Sequence, residues 1–367
     1  MIRILQSVNI MDRAGLETML MNYYRSIDRS RIQFDFLTHR EMSGAYDEEI
    51  KSMGGKIYHA PRLYPQNYPS YFLFMSKFFQ EHPEYKIIHS HIDTMSAFPL
   101  HAAKKAGIPI RIGHSHSSKL DIDAKLFIKY IAKLIIPYEA NIYCACGEKA
   151  GNFMYGNREF KIIPNAIDIK KFAYNLEDRK KVRKKLEIEK NFVVGHVGRY
   201  SYIKNQMFLL DIISVLKKQM PNIMLLLIGK GEDEGKLRQK VETLELNKNV
   251  RFLIDRSDVN DLYQAMDVFV MPSLFEGLPV VGVEAQANGL PCLFSDKISQ
   301  EVVLTENAEM LSLKLGPEEW AKKIITLHRN VNVNSQEQLM AKGYDVSVEA
   351  NKLMKWYLSL IDQIEQE

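Results

Sequence analysis

Two carboxylates eight residues apart, Glu276 and Glu284, bracket the stretch EGLPVVGVE, which has the make-up of a turn that starts a helix. Pro279 suits the first helical position, where its missing N–H costs nothing, and Gly289 suits a left-handed stop just past the end. The segment before the turn, DVFVMPSLF, is apolar, β-branched and aromatic, as expected of a strand buried on both faces of a parallel sheet. Strand, Gly-Pro turn and helix in that order aim the backbone N–H groups of about residues 279–282 out of the sheet's carboxyl edge, where an anion such as phosphate is stabilised. A carboxylate at Glu276 is repelled by such an anion unless it bonds something else. Sugar hydroxyls are the obvious candidates.

A second strand, NFVVGHV, runs into GRYSYIKN, placing Gly198, Arg199, Lys204 and Asn205 on one short loop. Gly198 lets the backbone approach a ligand closely, while Arg199 offers a donor fork and Lys204 a point charge. With the amides near residues 279–282 they make a pocket suited to a diphosphate. Taken alone, the loop reads equally as a surface Arg and Lys. A third strand end carries Gly229-Lys230-Gly231, a short glycine turn that falls short of a full GxGxxG. Gly15, in AGLE, opens the first helix and reads either as an ordinary helix start or as a backbone donor to the far side of the same phosphates.

Histidines gather at two further strand ends, His89 and His91 in KIIHSH, and His114 and His116 in IRIGHSH. A four-histidine zinc site is one reading, but no carboxylate or cysteine nearby completes a ligand set. Hydrogen bonding to a substrate hydroxyl is better supported, with a structural role the alternative.

Positioning these residues requires strands that end on one side. Short apolar strands alternate with helical patterns along the chain: RILQSVNI, IQFDFLTH, GKIYHAP, KIIHSHI, IPIRIGHS, NIYCACG and KIIPNAI, then NFVVGHVG, IMLLLIGKG, NVRFLID, DVFVMPS and LPCLFSD. That alternation argues for a parallel α/β architecture. In AGLETMLMNYYRSI, Leu16, Met19, Leu20, Tyr23, Tyr24 and Ile27 share one helical face, which is core packing. The closing segment SVEANKLMKWYLSLIDQIEQE is amphipathic, with Leu353, Trp356, Tyr357, Leu360 and Ile364 on one side.

A length of 367 residues exceeds one ordinary core, and the charged, strand-poor run from Ile167 to about Asn191 marks a domain boundary. The expected domains are 1–169, 170–344 and a closing helix over 345–367. An apolar content of 46% with 26% charged residues excludes a disordered or fibrous chain. No run approaches the roughly 18 apolar residues that span a bilayer. MIRILQSVNI reads as a core strand, lacking the long apolar region of a signal peptide. Three cysteines, Cys144, Cys146 and Cys292, are too few for a disulfide framework and suit a reducing cytoplasm. The net charge of +4 is concentrated between Lys170 and Lys190, where nine basic residues face four acidic ones. Without aromatic interleaving this is no nucleic-acid footprint. It reads as a solvated helix face or as a contact for an anionic surface. KLFIKYIAKLIIPYEA, with lysines 125, 129 and 133 spaced by four, reads either as a core helix with snorkelling lysines or as an interfacial helix on a membrane.

These residues resemble glycosyltransferase family 4, the retaining, sugar-nucleotide-dependent transferases of the GT-B fold. The matching pieces are GLE at 15–17, HSHSS at 114–118, PNAID at 164–168, VGRYSYIKN at 197–205, LLLIGKGE at 225–232 and MPSLFEGLPVVGVEAQANGLP at 271–291, the last holding the family's E-x7-E signature. The wording is similar to bacterial exopolysaccharide and capsule transferases. The resemblance implies two Rossmann-like parallel-sheet domains facing a central cleft, with the closing helix crossing back to the N-terminal domain. It implies that Arg199 and Lys204 bind the donor diphosphate and stabilise its departure, aided by Gly198, Asn205, Gly229 and Gly231. Glu276 is to bond hydroxyls of the transferred sugar and Glu284 the ribose. The backbone of Gly277, Leu278, Pro279, Val280 and Val281 is to hold phosphate and sugar, with Gly15 closing over the phosphates. His116 is to meet the reacting sugar, with His114 the second choice.

The implied reaction moves a hexosyl or N-acetylhexosaminyl group with retention, needs no metal or other cofactor, and takes a nucleotide diphosphate sugar, by family frequency a UDP-sugar. The implied acceptor is a glycan or a lipid-linked chain in cell-surface polysaccharide synthesis. The implied place is the cytoplasm, with peripheral contact at an anionic membrane's inner face. Two residues depart from the pattern. Ala14 stands where similar proteins often carry a first Gly, and Ile254 replaces a frequent Gly near the base pocket. A nucleotide-sugar epimerase on the same architecture is the enzyme alternative, though it should lack the GRxxxxKN and E-x7-E pairing. A non-catalytic sugar-nucleotide-binding subunit is the other.

Overall fold

The computed structural model describes residues 1–120, 125–329 and 334–366; Glu367, the last residue of the expected closing helix, lies outside them. The chain forms two compact units, one of Met1–Ala166 with Val346–Glu367, the other of Ile167–Asp345.

In the first unit, strands β1 (Ile2–Val8), β2 (Ile32–Thr38), β3 (Ile57–His59), β4 (Ile87–Ser90), β5 (Ile110–Ser115), β6 (Ile142–Ala145) and β7 (Lys161–Ile162) form one sheet in the order β3-β2-β1-β4-β5-β6-β7. Every pairing is parallel. β2 and β4 are buried along their whole length, as befits inner strands of a parallel sheet with both faces covered. Ile4, Phe34, Phe36 and Ile112 pack into a cluster with the helix Gly15–Ser26, while Leu5, Leu37 and Ile88 pack into another. The closing helix Val346–Gln366 adds Ala350, Leu353, Met354, Tyr357 and Ile361 to the first cluster. The last part of the sequence therefore belongs to the first unit's core.

The second unit repeats the plan with β8 (Phe192–Val197), β9 (Ile223–Ile228), β10 (Val250–Leu253), β11 (Val268–Met271), β12 (Cys292–Ser295) and β13 (Ala308–Leu311), ordered β10-β9-β8-β11-β12-β13 and all parallel. Alternation divides β9 between two clusters, Met224, Leu226 and Ile228 on one face and Leu225 and Leu227 on the other. Burying each such aliphatic side chain is worth about 1.5–3 kcal/mol over leaving it exposed. β13, with the sequence AEML, carries no strand signal of its own, being four residues long and interrupted by Glu309. It forms because β12 offers a parallel edge running from Cys292 to Ser295.

Strand order reverses direction beside β1 in the first unit and beside β8 in the second, so the loops leaving β1 and β4, and β8 and β11, diverge at the carboxyl edge. Such switch points are where open α/β sheets take ligands.

The basic connector is less solvated than expected. Its helix Leu176–Lys185 is capped by the Asn175 side chain, which accepts from the N–H groups of Glu177 and Asp178. Arg179 and Arg183 turn inward. Both pair with Asp267 and donate to the carbonyls of Met266 and Ala265 respectively. Two of the run's nine cations thus hold the helix to the start of β11, and a reading as one solvated face is corrected accordingly.

Candidate functional site

The carboxyl edge of β8 and β11 gathers most of the residues singled out in the second unit. Gly198 follows β8 directly, and a Cβ added there would lie 3.4 Å from Lys204 Cε. The loop beyond it is stapled to the end of β11. Asn205 adopts the left-handed conformation (φ 56°) and its Nδ2 donates to the Pro272 carbonyl at 3.0 Å, while the Leu274 N–H donates to the Ile203 carbonyl at 2.8 Å. Those two bonds bring Lys204 onto Glu276. The ammonium and carboxylate form an ion pair with both side chains largely covered, 19% and 16% exposed. Ser273 Oγ also donates to Glu276 Oε1 at 3.3 Å. Arg199 points outward, 72% exposed, its Nε donating to Glu232 at 2.9 Å.

Gly229 and Gly231 act on this loop by packing. Gly229 has φ +144°, and a Cβ there would stand 2.1 Å from the Gly198 carbonyl oxygen; one on Gly231 would stand 2.2 Å from that of Tyr200. Only glycine lets the two strand-end loops lie backbone to backbone, closed by the Tyr200 N–H on the Lys230 carbonyl at 3.0 Å.

After Glu276, the stretch Gly277–Leu278 leads to the helix Val280–Ala287. Pro279 is its N-cap rather than its first helical residue, and has no N–H to offer. The Gly282 N–H is taken by the Pro279 carbonyl at 3.0 Å. The expected set of amides at 279–282 therefore narrows to Val280 and Val281, the first-turn donors that a helix leaves open. Gly289 has φ +69° and ends the helix as read from the sequence.

Glu284 lies inside that helix, 8% exposed, with Tyr263 Oη donating to its Oε2 at 2.9 Å. Burial pushes its carboxyl up to about 7, against the opposing pull of the Tyr263 bond and the Lys171 charge. His196, on β8, is wholly buried and held to about 4 by burial, its Nδ1 against the Val270 carbonyl at 2.9 Å and its Nε2 near the Gln206 amide.

In the first unit the four histidines form one stack. Register pairs His89 with Ile112, so His114 follows two residues on beside it. Ring centroids lie 4.2 Å apart for His89 and His91, and 4.1 Å for His114 and His116. His91 and His116 sit just past the ends of β4 and β5, so the stack does not require all four to remain in strand. Two hydrogen-bonded files run through it. Tyr357 Oη meets His89 Nδ1 at 2.6 Å and His89 Nε2 meets His114 Nδ1 at 3.1 Å. Gln6 Oε1 meets His91 Nε2 at 2.8 Å and His91 Nδ1 meets His116 Nε2 at 3.0 Å. Burial lowers all four, His116 to about 3, so they are neutral imidazoles. Asp93 Oδ1 accepts the N–H groups of His116 at 2.7 Å and Ser117 at 3.2 Å, fixing the turn that half-exposes His116. Ligand atoms of His89, His91 and His114 lie within 4.8 Å of one another, close enough to hold a metal ion. Five of their six ring nitrogens already meet a partner in the two files, His114 Nε2 being the one left over, and the cavity they line, about 10 Å³, is otherwise walled by apolar groups and Tyr23 and Tyr357. Neutral hydrogen-bonding histidines fit this geometry better.

Gly15 is the first residue of its helix, with Ala14 as an N-cap that makes no side-chain bond. Sequence reading missed Gln6, Asp93, His196, Tyr263 and Tyr357. Of these only Asp93 left a local signal, two residues past His91. The others are defined by long-range partners.

A family described as "Glycosyl transferases group 1" matches residues 178–346. EpsF of Bacillus subtilis (strain 168), a protein named as a glycosyltransferase, is 35% identical over 370 residues, 97% of this chain and 96% of its own. The capsular polysaccharide biosynthesis glycosyltransferase CapH of Staphylococcus aureus is 26% identical over 98% of this chain and 99% of its own. Among solved structures, Anabaena HepE in complex with UDP-glucose superposes with a TM-score of 0.82 at 22% identity, covering 98% of this chain and 100% of that one. The shared architecture is GT-B.

Proposed function

The chain belongs to the group 1 glycosyl transferases, and on that premise we propose that it moves a sugar, with retention of anomeric configuration, from a UDP-sugar to a glycan or lipid-linked acceptor in cell-surface polysaccharide synthesis. The observation that carries this reading is the Lys204–Glu276 ion pair at the β8–β11 switch point, beside the open amides of Val280 and Val281. An ammonium and a carboxylate side by side suit a ligand that is anionic at one end and rich in hydroxyls at the other.

In this reading Lys204 and Arg199 bind the donor's diphosphate, and Arg199 turns to it from Glu232. The first-turn amides of Val280 and Val281 add backbone donors, while Glu276 bonds hydroxyls of the transferred sugar. Glu284 takes the ribose. His116 offers the reacting sugar a neutral Nδ1, and Gly15 a backbone contact to the phosphates. The acceptor oxygen bonds the anomeric carbon as that carbon's bond to the phosphate oxygen breaks. The departing phosphate takes the acceptor's proton, so UDP leaves on the face that the acceptor enters. Two cations neutralise the leaving charge, Lys204 in place and Arg199 after turning, so the proposed reaction takes no metal and no other cofactor. The UDP-glucose bound by HepE supports uracil as the base, and the name of CapH supports a surface polysaccharide as the product.

Nucleotide release from a panel of sugar nucleotides, with and without acceptor, tests the proposal, with the product's anomeric configuration read by NMR. Acceptor-dependent UDP release with a retained linkage is expected. An inverted product, epimer interconversion without release, or donor binding without turnover would each replace it.

A further inference from the structure

The side chain of Glu284 is held by one oxygen and open at the other. Oε2 accepts from Tyr263 Oη at 2.9 Å. Oε1 has no hydrogen-bond partner among the described residues and is not sealed from solvent. Tyr263 belongs to a different element, the helix Val259–Ala265, so its hydroxyl bridges that helix to Val280–Ala287.

The ring of Tyr263 is fully buried, edge-on to Phe172 at 5.9 Å and tilted against Phe269 at 6.0 Å between centroids. Packing of that kind fixes where the hydroxyl points. The hydroxyl also lies 3.2 Å from the Val281 carbonyl, in the first turn whose amides are proposed to meet the phosphate. One hydrogen therefore has two acceptors. When Glu284 is ionised, its charge draws that hydrogen to Oε2, since a bond to a carboxylate is about twice as strong as one to a neutral oxygen. Oε1 is then left as a charged acceptor. When Glu284 carries a proton, the hydrogen is free to turn to Val281, and the carboxyl loses both its charge and its fixed aim.

Among the described residues the other charge acting on Glu284 is Lys171, which favours the ionised form as the Tyr263 bond does. The thiol of Cys292 faces Tyr263 and is kept neutral by burial. Burial of Glu284 opposes both favourable influences and outweighs them, leaving its carboxyl at about 7 in the ligand-free protein.

Building on the donor reading above, we propose that Tyr263 is a positioning residue for the donor's ribose: it holds Glu284 by Oε2, turns Oε1 to the ribose hydroxyls, and ties donor affinity to the ionisation of that carboxyl. Being fully buried, Tyr263 acts through Glu284 rather than on the donor. Ribose hydroxyls donate to an ionised carboxylate through charge-assisted bonds, so donor affinity should rise with pH through about 7. Removing the tyrosine hydroxyl takes away a bond to the charged form and moves that rise to higher pH.

The experiment measures binding of UDP-glucose and of its 2′,3′-dideoxyribose analogue by calorimetry, from about pH 5.5 to about pH 8.5, on the full chain and on Tyr263→Phe. The diphosphate of UDP-glucose gains no proton in that range, so the ligand adds no inflection of its own. Expected is a wild-type affinity for UDP-glucose that rises about tenfold or more across the range. The Tyr263→Phe curve should be displaced upward by about one pH unit, leaving binding roughly fivefold weaker near pH 7. The analogue, with no ribose hydroxyls, should bind both proteins alike at every pH. Glu284→Gln should abolish the pH dependence. Carbon-13 NMR of the Glu284 carboxyl, identified by its absence in Glu284→Gln, should titrate about one pH unit higher in ligand-free Tyr263→Phe. Absence of either shift, a pH dependence that survives Glu284→Gln, or a Tyr263→Phe penalty equal for UDP-glucose and the analogue would overturn the proposal. A wild type that binds UDP-glucose at no pH would overturn the donor reading with it, whereas binding without the shift removes the role of Tyr263 alone.

Discussion

Replacing Lys204 by Met keeps most of the side chain's length and removes its charge, and the surroundings set what that should cost. In the resting protein the ammonium pairs with Glu276, but both groups retain some contact with water. Glu276 keeps the Ser273 hydroxyl when the lysine is gone. The loss of a partly exposed pair is worth on the order of 1 kcal/mol, a shift of about 2–4 °C in melting for a unit of this size. During transfer the same ammonium is assigned to the phosphate as negative charge grows on it. Removing one preorganised donor from such a position costs about 2.7–4 kcal/mol, or roughly 10²–10³ in turnover. The two effects separate cleanly: Lys204→Met should melt almost like the wild type and release UDP at least about a hundredfold more slowly at saturating donor and acceptor. Lys204→Arg, which restores charge but with a bulkier fork, should recover part of the loss. A folded Lys204→Met protein with turnover within about fivefold of wild type would refute the assignment of this lysine to the leaving group.

The buried carboxyl of Glu284 gives a pH signature. Its folded-state pKa of about 7 lies above its ordinary 4.5, so the folded protein holds an extra proton between those values, and stability from this site is full below pH 4.5 and lost as pH rises through 7. Glu284→Gln should therefore melt like wild type near pH 4.5 and gain roughly 3 kcal/mol by pH 8, and an equal difference at both pH values would contradict a raised carboxyl. Gly229→Ala forces a Cβ to within 2.1 Å of the Gly198 carbonyl oxygen at φ +144°, so it should destabilise by about 2–5 kcal/mol by denaturant unfolding. His116→Asn should lower turnover by roughly 5–150-fold with melting preserved, whereas His114→Asn, at a wholly buried ring, should act mainly on melting. Reversal of that pattern would move the sugar contact to His114.

The architecture is legible because in a doubly covered parallel sheet each strand is a short apolar run, and the residues with chemistry follow directly after it. Gly198, Arg199, Lys204 and Glu276 stand out in this way, from local sequence alone. What is not legible depends on distance. Nothing near Lys204 announces that its ammonium meets Glu276, because that pairing is made by Asn205 and Leu274 stapling two loops together. The histidine files need the β4–β5 register and a tyrosine from the closing helix, which follows the whole second unit in sequence. Arg179 and Arg183 look like any other cations in a basic run until Asp267 draws them inward. Pro279 sits at the N-cap rather than in the first turn because its fixed φ suits either position. For the helix Leu126–Glu139, periodicity marks an apolar face but not whether anything covers it, and only solvent exposure, 75% at Phe127 and 70% at Tyr138, separates those cases.

The central claim is that a donor's diphosphate rests on the Arg199 guanidinium, the Lys204 ammonium and the amides of Val280 and Val281. A crystal structure of the protein with UDP tests it most directly. The account predicts phosphate oxygens within hydrogen-bonding distance of those groups, with Lys204 drawn from Glu276 onto the phosphate. Phosphates bound elsewhere, with the Lys204–Glu276 pair intact, would contradict it.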